Sequence, residues 1–444
     1  MAAALALLIA CGSEPRPTTD GTDPSGTTPT GNMSGGGDQP AGGDPSSGGG
    51  DPSAGGDPSG GGTTPPACPI GAASWSHALG LAGPLQVIDV AVDAAGNAVV
   101  ATAGASTDAG VANGVTRLSP SGEVMFTRPY GSVVATDGAG NTFIAGAFTQ
   151  PIDFGLGVVE PQGNIDVFVV ELDPHGKVVF ARGLGLCGDG VMSIAVDATG
   201  RIAVSGSAMG TAVLAPDGKL VFDLALSGAV AFDSRGNLVI AGTFTTSVDL
   251  GDGPIAVGDA GSEGFVIEVD REGQRVFSVV LPGGGVHATD VAIDAHDAIV
   301  VVGYYERSID LFGDRFDAIV SSESGRVTGA YVFKLDATGK LIWNNGRASG
   351  TEASGVAVAP DGTVFIVGAM AGNVGFFRHA SLVELDATGA PRMVSGDLAG
   401  PLAGASRGFQ VAADRCGSVF TTFVAQDTPG AGSPIRALVA KSSP

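Results

Sequence analysis

Apolar and polar residues alternate in short runs over most of the chain. One phrase recurs seven times: an alternating apolar run, a turn that usually contains Asp and Gly, and a second apolar run. The copies begin at Val90, Val134, Ile194, Val230, Val291, Val356 and Val411. Alternation with a period of two is typical of half-buried strands, and Asp and Gly favour tight turns. Each copy therefore predicts a β-hairpin.

A second phrase lies between the copies of the first. It is a strand, a turn ending in Gly and another strand, which in five copies carries an aromatic residue. The six copies begin at Leu118, Leu172, Leu214, Val269, Leu335 and Leu385. The last repeat ends one strand short, and the apolar segment around Trp75 can supply that strand. The sequence thus predicts an all-β fold, a seven-bladed β-propeller whose N-terminal strand closes the last blade. The aromatic residues predict packing between blades.

Residues 12–67 have a different composition. They contain 17 Gly and 10 Pro in 56 residues, and such a segment cannot bury enough apolar surface to offset its chain entropy. We therefore expect a disordered tether over residues 11–67 and the propeller over residues 68–444.

The first residues predict where the protein is located in the cell. The apolar run Ala2–Ala10 ends in Leu8-Ile9-Ala10-Cys11, which resembles the lipobox of bacterial lipoproteins. That resemblance implies removal of residues 1–10 as a signal and lipidation of Cys11. No basic residue precedes Ala2, whereas signal peptides normally have a basic beginning. Either the natural chain starts further upstream, or the apolar run arises by chance.

The repeats also resemble a known family. The Asp-x-x-Gly-Asn hairpin and the phrase from Ala145 to Gly155, which returns at Ala241 and Val302, are similar to those of Gram-negative lipoproteins with SBBP-type β-propeller repeats. The resemblance covers most of the chain. It implies a protein of the cell envelope, anchored by lipid at the outer membrane or the cell surface.

Charge and composition restrict the partners. The formal net charge of −23 opposes binding to nucleic acid or to anionic lipid. We expect membrane contact through the lipid anchor alone, a monomer, and an unknown protein or glycan of the envelope as partner.

The four cysteines form no Cys-x-x-Cys pair, which argues against a zinc or redox site. Cys68 precedes the closing strand, and Cys416 lies in the first turn of the same blade. We predict a disulfide between them, with Cys187 on the opposite face. Three free thiols, or another pairing of the cysteines, are the alternatives.

Several motif matches lack the context that their chemistry needs. The Gly183–Gly188 match to a dinucleotide fingerprint and the Gly404–Gly408 match to a nucleophile elbow both lead into strands, not helices. The five histidines show no ligand spacing. Asp153, Asp249 and Asp310 recur in loops, where a carboxylate either accepts backbone amides or contacts Ca²⁺. We predict no cofactor and no metal site, with Ca²⁺ as the alternative at these loops.

Three long loops, 147–166, 243–264 and 304–330, are expected to project on one face of the ring. The loop of blade 5 is the candidate binding loop because Tyr and Arg are favoured at interfaces. Its candidate residues are Tyr304, Tyr305, Arg307, Asp310, Arg315 and Asp317.

Three functions remain open. The first is a non-enzymatic binding or scaffold module. The second is an assembly factor for outer-membrane proteins, and the third is a propeller enzyme of the lyase or quinoprotein class. An enzyme predicts polar residues clustered at the central channel, whereas a channel lined by Val and Ala contradicts it. The residues to locate are Asp89, Asp189, His287, Asp290 and Ser354.

Overall fold

The computed structural model describes most of the chain after residue 73. The described residues are 74–79, 85–104, 106–107, 110–111, 114–185, 190–258, 261–320, 327–346, 352–371, 378–396, 406–426 and 435–442. The predictions for residues 1–10 and 11–67, including lipidation of Cys11, therefore lie outside the described residues. None of the described segments forms a helix long and apolar enough to cross a membrane.

Seven four-stranded antiparallel sheets follow one another along the chain, as the repeats predict. We call the strands of each blade inner, second, third and outer. In this order, blades 1 to 4 consist of Leu85–Val92, Ala98–Gly104, Gly114–Leu118 and Val124–Arg128; Val133–Thr136, Thr142–Phe148, Asp166–Leu172 and Val178–Gly183; Val191–Val196, Ile202–Gly206, Gly210–Leu214 and Leu220–Leu224; and Gly228–Phe232, Leu238–Phe244, Glu263–Val269 and Arg275–Leu281.

The remaining blades have the same antiparallel order. Blades 5 to 7 consist of Val286–Ile293, Ile299–Tyr305, Val327–Leu335 and Leu341–Asn345; Glu352–Val358, Val364–Ala371, Arg378–Leu385 and Pro391–Gly396; and Ser406–Ala413, Val419–Gln426, Ile435–Ser442 and Trp75–Leu79. A short strand, Ile319–Val320, also pairs with the beginning of the third strand of blade 5.

In the described part of the chain, four small hairpins lie between the second and third strands of blades 1, 2, 4 and 5. They are Ser106–Thr107 with Gly110–Val111, Ile152–Asp153 with Val158–Val159, Ser247–Asp249 with Pro254–Ala256, and Ser308–Leu311 with Asp314–Asp317.

The N-terminal strand closes the ring, which confirms the predicted topology. Trp75–Leu79 pairs antiparallel with the third strand of blade 7, so that Trp75 lies opposite Lys441 and Leu79 lies opposite Ala437. The last sheet thus combines strands from both ends of the propeller and leaves no partly filled blade.

The inner–second and third–outer turns lie at the same end of each blade, which we call the turn face. At the inner–second turns an Asp organises the chain. Oδ1 of Asp93 accepts the backbone N–H groups of Ala95 and Asn97 at 2.9 Å, and Oδ2 accepts the side-chain amide of Asn97 at 2.8 Å. Equivalent bonds form at Asp137, so the repeated Asp and Asn serve turn formation.

Aromatic residues of the outer strands join neighbouring blades, as their repeated position predicts. Each ring packs against the glycine of the third–outer turn in the next blade. The pairs are Phe126 with Gly176, Phe180 with Gly218, Phe222 with Gly273, Phe277 with Gly339, Trp343 with Gly389 and Trp75 with Gly122. At Gly339, where φ is +80°, an added Cβ would lie 2.5 Å from the Phe277 ring, so this contact requires glycine.

The two tryptophans occupy equivalent places. Trp75 Nε1 donates to the carbonyl of Pro120 at 3.0 Å, and Trp343 Nε1 donates to the carbonyl of Ala387 at 3.1 Å. Blade 6 differs because Met393 stands where the others carry an aromatic residue, and Met393 is 46% exposed. Blade 7 has no third–outer turn to cover Met393, since its outer strand comes from the N-terminal segment.

Between the inner ring and the outer strands, apolar side chains fill the space between sheets. Ion pairs are buried in the same layer. Arg117, on the third strand of blade 1, is 1% exposed and pairs with Asp93. It also donates to the Gly140 carbonyl at 2.8 Å and to Thr142 Oγ1 at 2.9 Å. Arg117 therefore links blade 1 to blade 2.

Candidate functional site: the central channel and the blade 5 insertion

The inner strands of all seven blades surround a central cavity of about 370 Å³. Most of its lining is Val, Ala and Ile. The polar exceptions are Asp89, Thr136, Ser193, Asp290 and Gln410. A cavity of this size is within the range of small-molecule sites, in which a few polar groups lie among apolar walls.

A β-bulge positions most of these polar residues. The inner strands of blades 1, 3, 5, 6 and 7 each contain an extra residue, immediately before Asp89, Ser193, Asp290, Gly355 and Gln410. Because a bulge changes the direction in which the following side chain points, the five positions form one layer of the channel.

In this layer, three side chains bind the next blade. Asp89 Oδ2 accepts the N–H of Val134 at 2.9 Å, Ser193 Oγ accepts the N–H of Val230 at 3.2 Å, and Asp290 Oδ2 accepts the N–H of Val356 at 2.8 Å. The other oxygen of each aspartate accepts the amide of its own successor, Val90 or Val291. These bonds join blades 1 to 2, 3 to 4 and 5 to 6.

Burial makes the two aspartates unusually weak acids, with raised pKa values. Desolvation raises the pKa of Asp89 to about 6, although the amides of Val134 and Val90 oppose the shift. Desolvation likewise raises the pKa of Asp290 to about 7; the amides of Val356 and Val291 and the Gln410 side chain lower it, and repulsion by Asp89 adds to the rise. Asp290 is therefore partly protonated at neutral pH.

The channel is thus neither wholly apolar nor a dense polar cluster. Of the residues that the enzyme hypothesis singled out, Asp89 and Asp290 line the cavity, and Asp189 lies outside the described residues. Ser354 is half-buried in the bulge of blade 6. The aspartate oxygens already accept backbone amides, which is a structural use of both carboxylates.

His287 lies above Asp290 on the same strand. Its ring stacks on Tyr304 with 4.6 Å between centroids, and Nε2 is 3.3 Å from Ser262 Oγ. Burial lowers the pKa of His287, and the charge of Glu306 opposes this shift. No pattern in the sequence indicates this contact, since Ser262 and His287 are 25 positions apart and lie in different blades.

The structure divides the six candidate residues of the blade 5 loop into two groups. Tyr305 is 1% exposed, and its hydroxyl donates to the Gly346 carbonyl at 2.7 Å. Tyr304 is half-buried against His287. The four charged residues, Arg307, Asp310, Arg315 and Asp317, are exposed. Arg315 Nε donates to Asp317 at 3.2 Å.

The sequence predicts loops that project from the ring, but the insertions of blades 4 and 5 pack against it. The blade 5 hairpin buries Ile309 and Leu311 completely in the core shared by blades 4 and 5. In blade 4, Val248 and Leu250 are buried, and Asp252 at the hairpin tip pairs with Arg275 at the beginning of the outer strand. These hairpins fold back over the flanks of the blades because their alternate apolar residues fill the space between sheets.

The repeated loop aspartates accept backbone amides. Asp153 Oδ1 accepts the N–H of Gly155 at 2.8 Å and of Gly157 at 3.2 Å, and Asp249 makes equivalent bonds in blade 4. Asp310 accepts the N–H of Gly313 at 2.7 Å. Throughout the described ranges, no three His, Cys, Asp or Glu side chains form a group that could hold a metal ion.

Cys416 is disulfide-bonded. It follows Asp414 in the inner–second turn of blade 7, where its N–H donates to Asp414 Oδ1 at 2.8 Å. Cys11, Cys68 and Cys187 all lie outside the described residues. The closing strand begins at Trp75 on the turn face, the same face as Cys416. The pairing with Cys68 stays a prediction.

Comparisons with known proteins add little beyond this geometry. No protein-family model matches the chain, and no curated protein matches it. The β-propeller domain of Cps50 (Swd1) from Myceliophteria thermophila is 10% identical with a TM-score of 0.44, over 82% of this chain and 99% of that one. A Bacteroides caccae protein of unknown function is 12% identical with a TM-score of 0.26, over 52% and 90%. The propeller assignment rests on the strand topology itself.

Proposed function

We propose that the chain is a membrane-tethered, extracytoplasmic β-propeller that binds a protein or glycan of the cell envelope and performs no catalysis. The observation that carries the proposal is the construction of the blade 5 insertion. Its apolar side chains Ile309 and Leu311 are fully buried, whereas Arg307, Arg315 and Asp317 extend from it into solvent. A rigid base with exposed charged side chains is a common design of binding loops.

The channel supports a non-catalytic role as well. General acid–base catalysis needs a carboxyl group that can reach a substrate. Both oxygens of Asp89 and of Asp290 are hydrogen-bonded to backbone amides. These carboxyl groups hold neighbouring blades together, which favours a structural role for the ring and a binding role for its periphery.

The tether is the second part of the proposal. In our interpretation, lipid on Cys11 anchors the chain, and residues 12–67 hold the propeller away from the membrane. Metabolic labelling with a fatty acid tests this directly. We expect label in the natural protein and none in Cys11→Ala, whereas equal labelling of both would contradict lipidation of Cys11.

The disulfide belongs to the same proposal, since an oxidising compartment permits it. Cys68 precedes the closing strand, and the pairing with Cys416 would fasten that strand to its blade. Peptide mapping without reductant is expected to recover a cross-linked pair containing Cys68 and Cys416. A pair that joins Cys416 to Cys187 or to Cys11 would overturn the assignment.

Partner binding is tested with matched arginine variants. Photo-cross-linking on intact cells is compared for the natural protein, Arg307→Ala/Arg315→Ala and the control Arg392→Ala, whose arginine is 52% exposed on blade 6. We expect the double variant to lose most of a discrete cross-linked product, and the control to keep it. Equal yields from all three proteins would exclude the blade 5 insertion as the binding site.

A further inference from the structure

We propose that the central channel is a proton-dependent switch, in which protonation of Asp89 and Asp290 stabilises the closed ring at mildly acidic pH. This inference concerns the channel and is independent of the binding role proposed for the blade 5 insertion.

The geometry places both carboxyl groups at junctions between blades. Each aspartate follows a bulge on its inner strand, lines the same cavity and accepts a backbone N–H of the next blade. Asp89 joins blade 1 to Val134 in blade 2, and Asp290 joins blade 5 to Val356 in blade 6. The charge state of these two groups therefore acts where the blades meet.

No described cation faces the pair. Asp89 and Asp290 are the only charged residues that line the cavity in the described part of the chain. Among other titratable residues on the inner strands, His287 stacks on Tyr304, and Glu352 lines a separate small cavity in blade 6. The side chain of Arg407 lies outside the description. Two like charges among apolar walls disfavour each other's ionisation.

Gln410 and Gly355 complete the arrangement. The Gln410 side chain reaches from blade 7 across blade 6 and hydrogen-bonds to Asp290. Gly355 leaves room for it, since a Cβ there would lie 2.1 Å from Gln410 Oε1. Oε1 is buried and has no hydrogen-bond partner. A protonated Asp290 has an O–H group that can donate to this oxygen after rotation of the amide, which an ionised Asp290 cannot do.

The direction of the effect follows from proton linkage. The folded ring binds protons at Asp89 and Asp290 at pH values where the unfolded chain, with an ordinary Asp pKa, does not. The contribution of these two groups to stability is therefore complete below the ordinary Asp pKa of 3.8, falls as the pH rises from there, and is lost above the folded pKa values of about 6 and 7. For each group, the unfolding equilibrium constant rises about tenfold per pH unit in the range where only the folded state holds the proton.

Denaturant unfolding of the full chain from pH 4.5 to pH 8.5 tests the switch. Between pH 5 and pH 6, we expect Asp290→Asn to remove a nearly tenfold change in the unfolding equilibrium constant. Asp89→Asn is expected to remove about a fivefold change there, because Asp89 is already half-ionised at pH 6. The control is Asp217→Asn, because Asp217 is exposed and its pKa is lowered by its hydrogen bonds to Lys219. This control is expected to leave that part of the pH dependence intact.

The slope is the readout, because an asparagine cannot accept both amides and lowers stability by an amount that does not depend on pH. Profiles of the two channel variants that run parallel to the natural protein would overturn the proposal. A second measurement needs no variant. The infrared absorption of protonated carboxyl groups in the natural, folded protein is expected to persist at pH 6, and its absence there would equally overturn the switch.

Discussion

The inner ring and the outer rim of the propeller join neighbouring blades through different kinds of contact. At the rim, an aromatic ring packs on a turn glycine at six of the seven junctions between blades. At the channel, among the residues that the structure describes, a polar side chain accepts an amide of the next blade only after blades 1, 3 and 5. The rim thus repeats with every blade, whereas the inner layer alternates.

Alternation cannot close evenly around a ring of seven. Blade 7 precedes blade 1, and both carry a polar residue in the channel layer, Gln410 and Asp89. The Val90 amide of blade 1 already donates to Asp89, and Gln410 turns back towards Asp290 instead. The junction of blades 7 and 1 therefore depends on its apolar core, which includes Val90 and Phe420, and on the rim, where Trp75 packs on Gly122.

The largest effect is expected where a polar link between blades is fully buried. Arg117→Met would leave Asp93 buried without its cation and would remove the bonds to Gly140 and Thr142. We expect a loss of about 3–5 kcal/mol in the free energy of unfolding, since breaking a buried ion pair leaves an uncompensated charge. Urea unfolding measures this loss.

The control for Arg117 is Lys219→Met, because Lys219 pairs with Asp217 in solvent. Exposed ion pairs contribute about 0–1 kcal/mol, so the control is expected to unfold close to the natural protein. Losses of similar size in both variants would show that burial does not decide the strength of these links.

Ring closure at the rim gives the next largest effect. Trp75→Ala and Trp343→Ala remove the same ring contact and the same hydrogen bond to a carbonyl. Both rings are partly buried, so we expect each to lose about 2–4 kcal/mol, near the lower part of the range for buried aromatic truncations. Trp75→Ala is expected to cost more because its strand belongs to the N-terminal segment and is joined to blade 7 by strand pairing, without a turn of the chain between them in the described residues.

Hydrogen exchange distinguishes the two tryptophan variants. In Trp75→Ala we expect faster exchange in the closing strand and its partner Ile435–Ser442, and in Trp343→Ala only within blades 5 and 6. Indistinguishable exchange patterns would mean that the seam is no weaker than the other junctions.

The outer strand of blade 6, which lacks the aromatic residue, allows a comparison with a smaller expected effect on stability. Phe277 packs on Gly339, whereas Met393 occupies the equivalent place and is 46% exposed. We expect Phe277→Ala to lose about 2–3 kcal/mol and Met393→Ala less than about 1 kcal/mol. Thermal unfolding of both variants checks the ranking, and an equal loss would indicate that Met393 is covered in solution.

The sequence predicted the rim far better than the channel, for a physical reason. The aromatic–glycine contact needs the same two residue types at every junction, and it therefore appears as a repeated phrase. The channel layer depends on a bulge before Asp89, Ser193, Asp290 and Gln410. A bulge has no fixed residue type, and these four positions carry three different side chains.

The packing of the insertions is equally hard to predict from the sequence. Residues such as Ile309 and Leu311 alternate with polar neighbours, but the segment is short, and the sequence predicts a projecting loop there. Its burial depends on the space between blades 4 and 5, which no local pattern specifies. Arg315 in the same hairpin is exposed, as charged side chains usually are.

The smallest expected effect isolates charge within the channel. Ser193 accepts the amide of Val230 just as Asp89 and Asp290 accept amides of the next blades, but its hydroxyl has no charge in the physiological range. Ser193→Ala removes one neutral hydrogen bond, so we expect a loss of about 1 kcal/mol that is the same at pH 5 and pH 8. Unfolding at the two pH values measures it. A loss that changes with pH would show that the channel layer responds to protons as a unit, rather than through its two carboxyl groups alone.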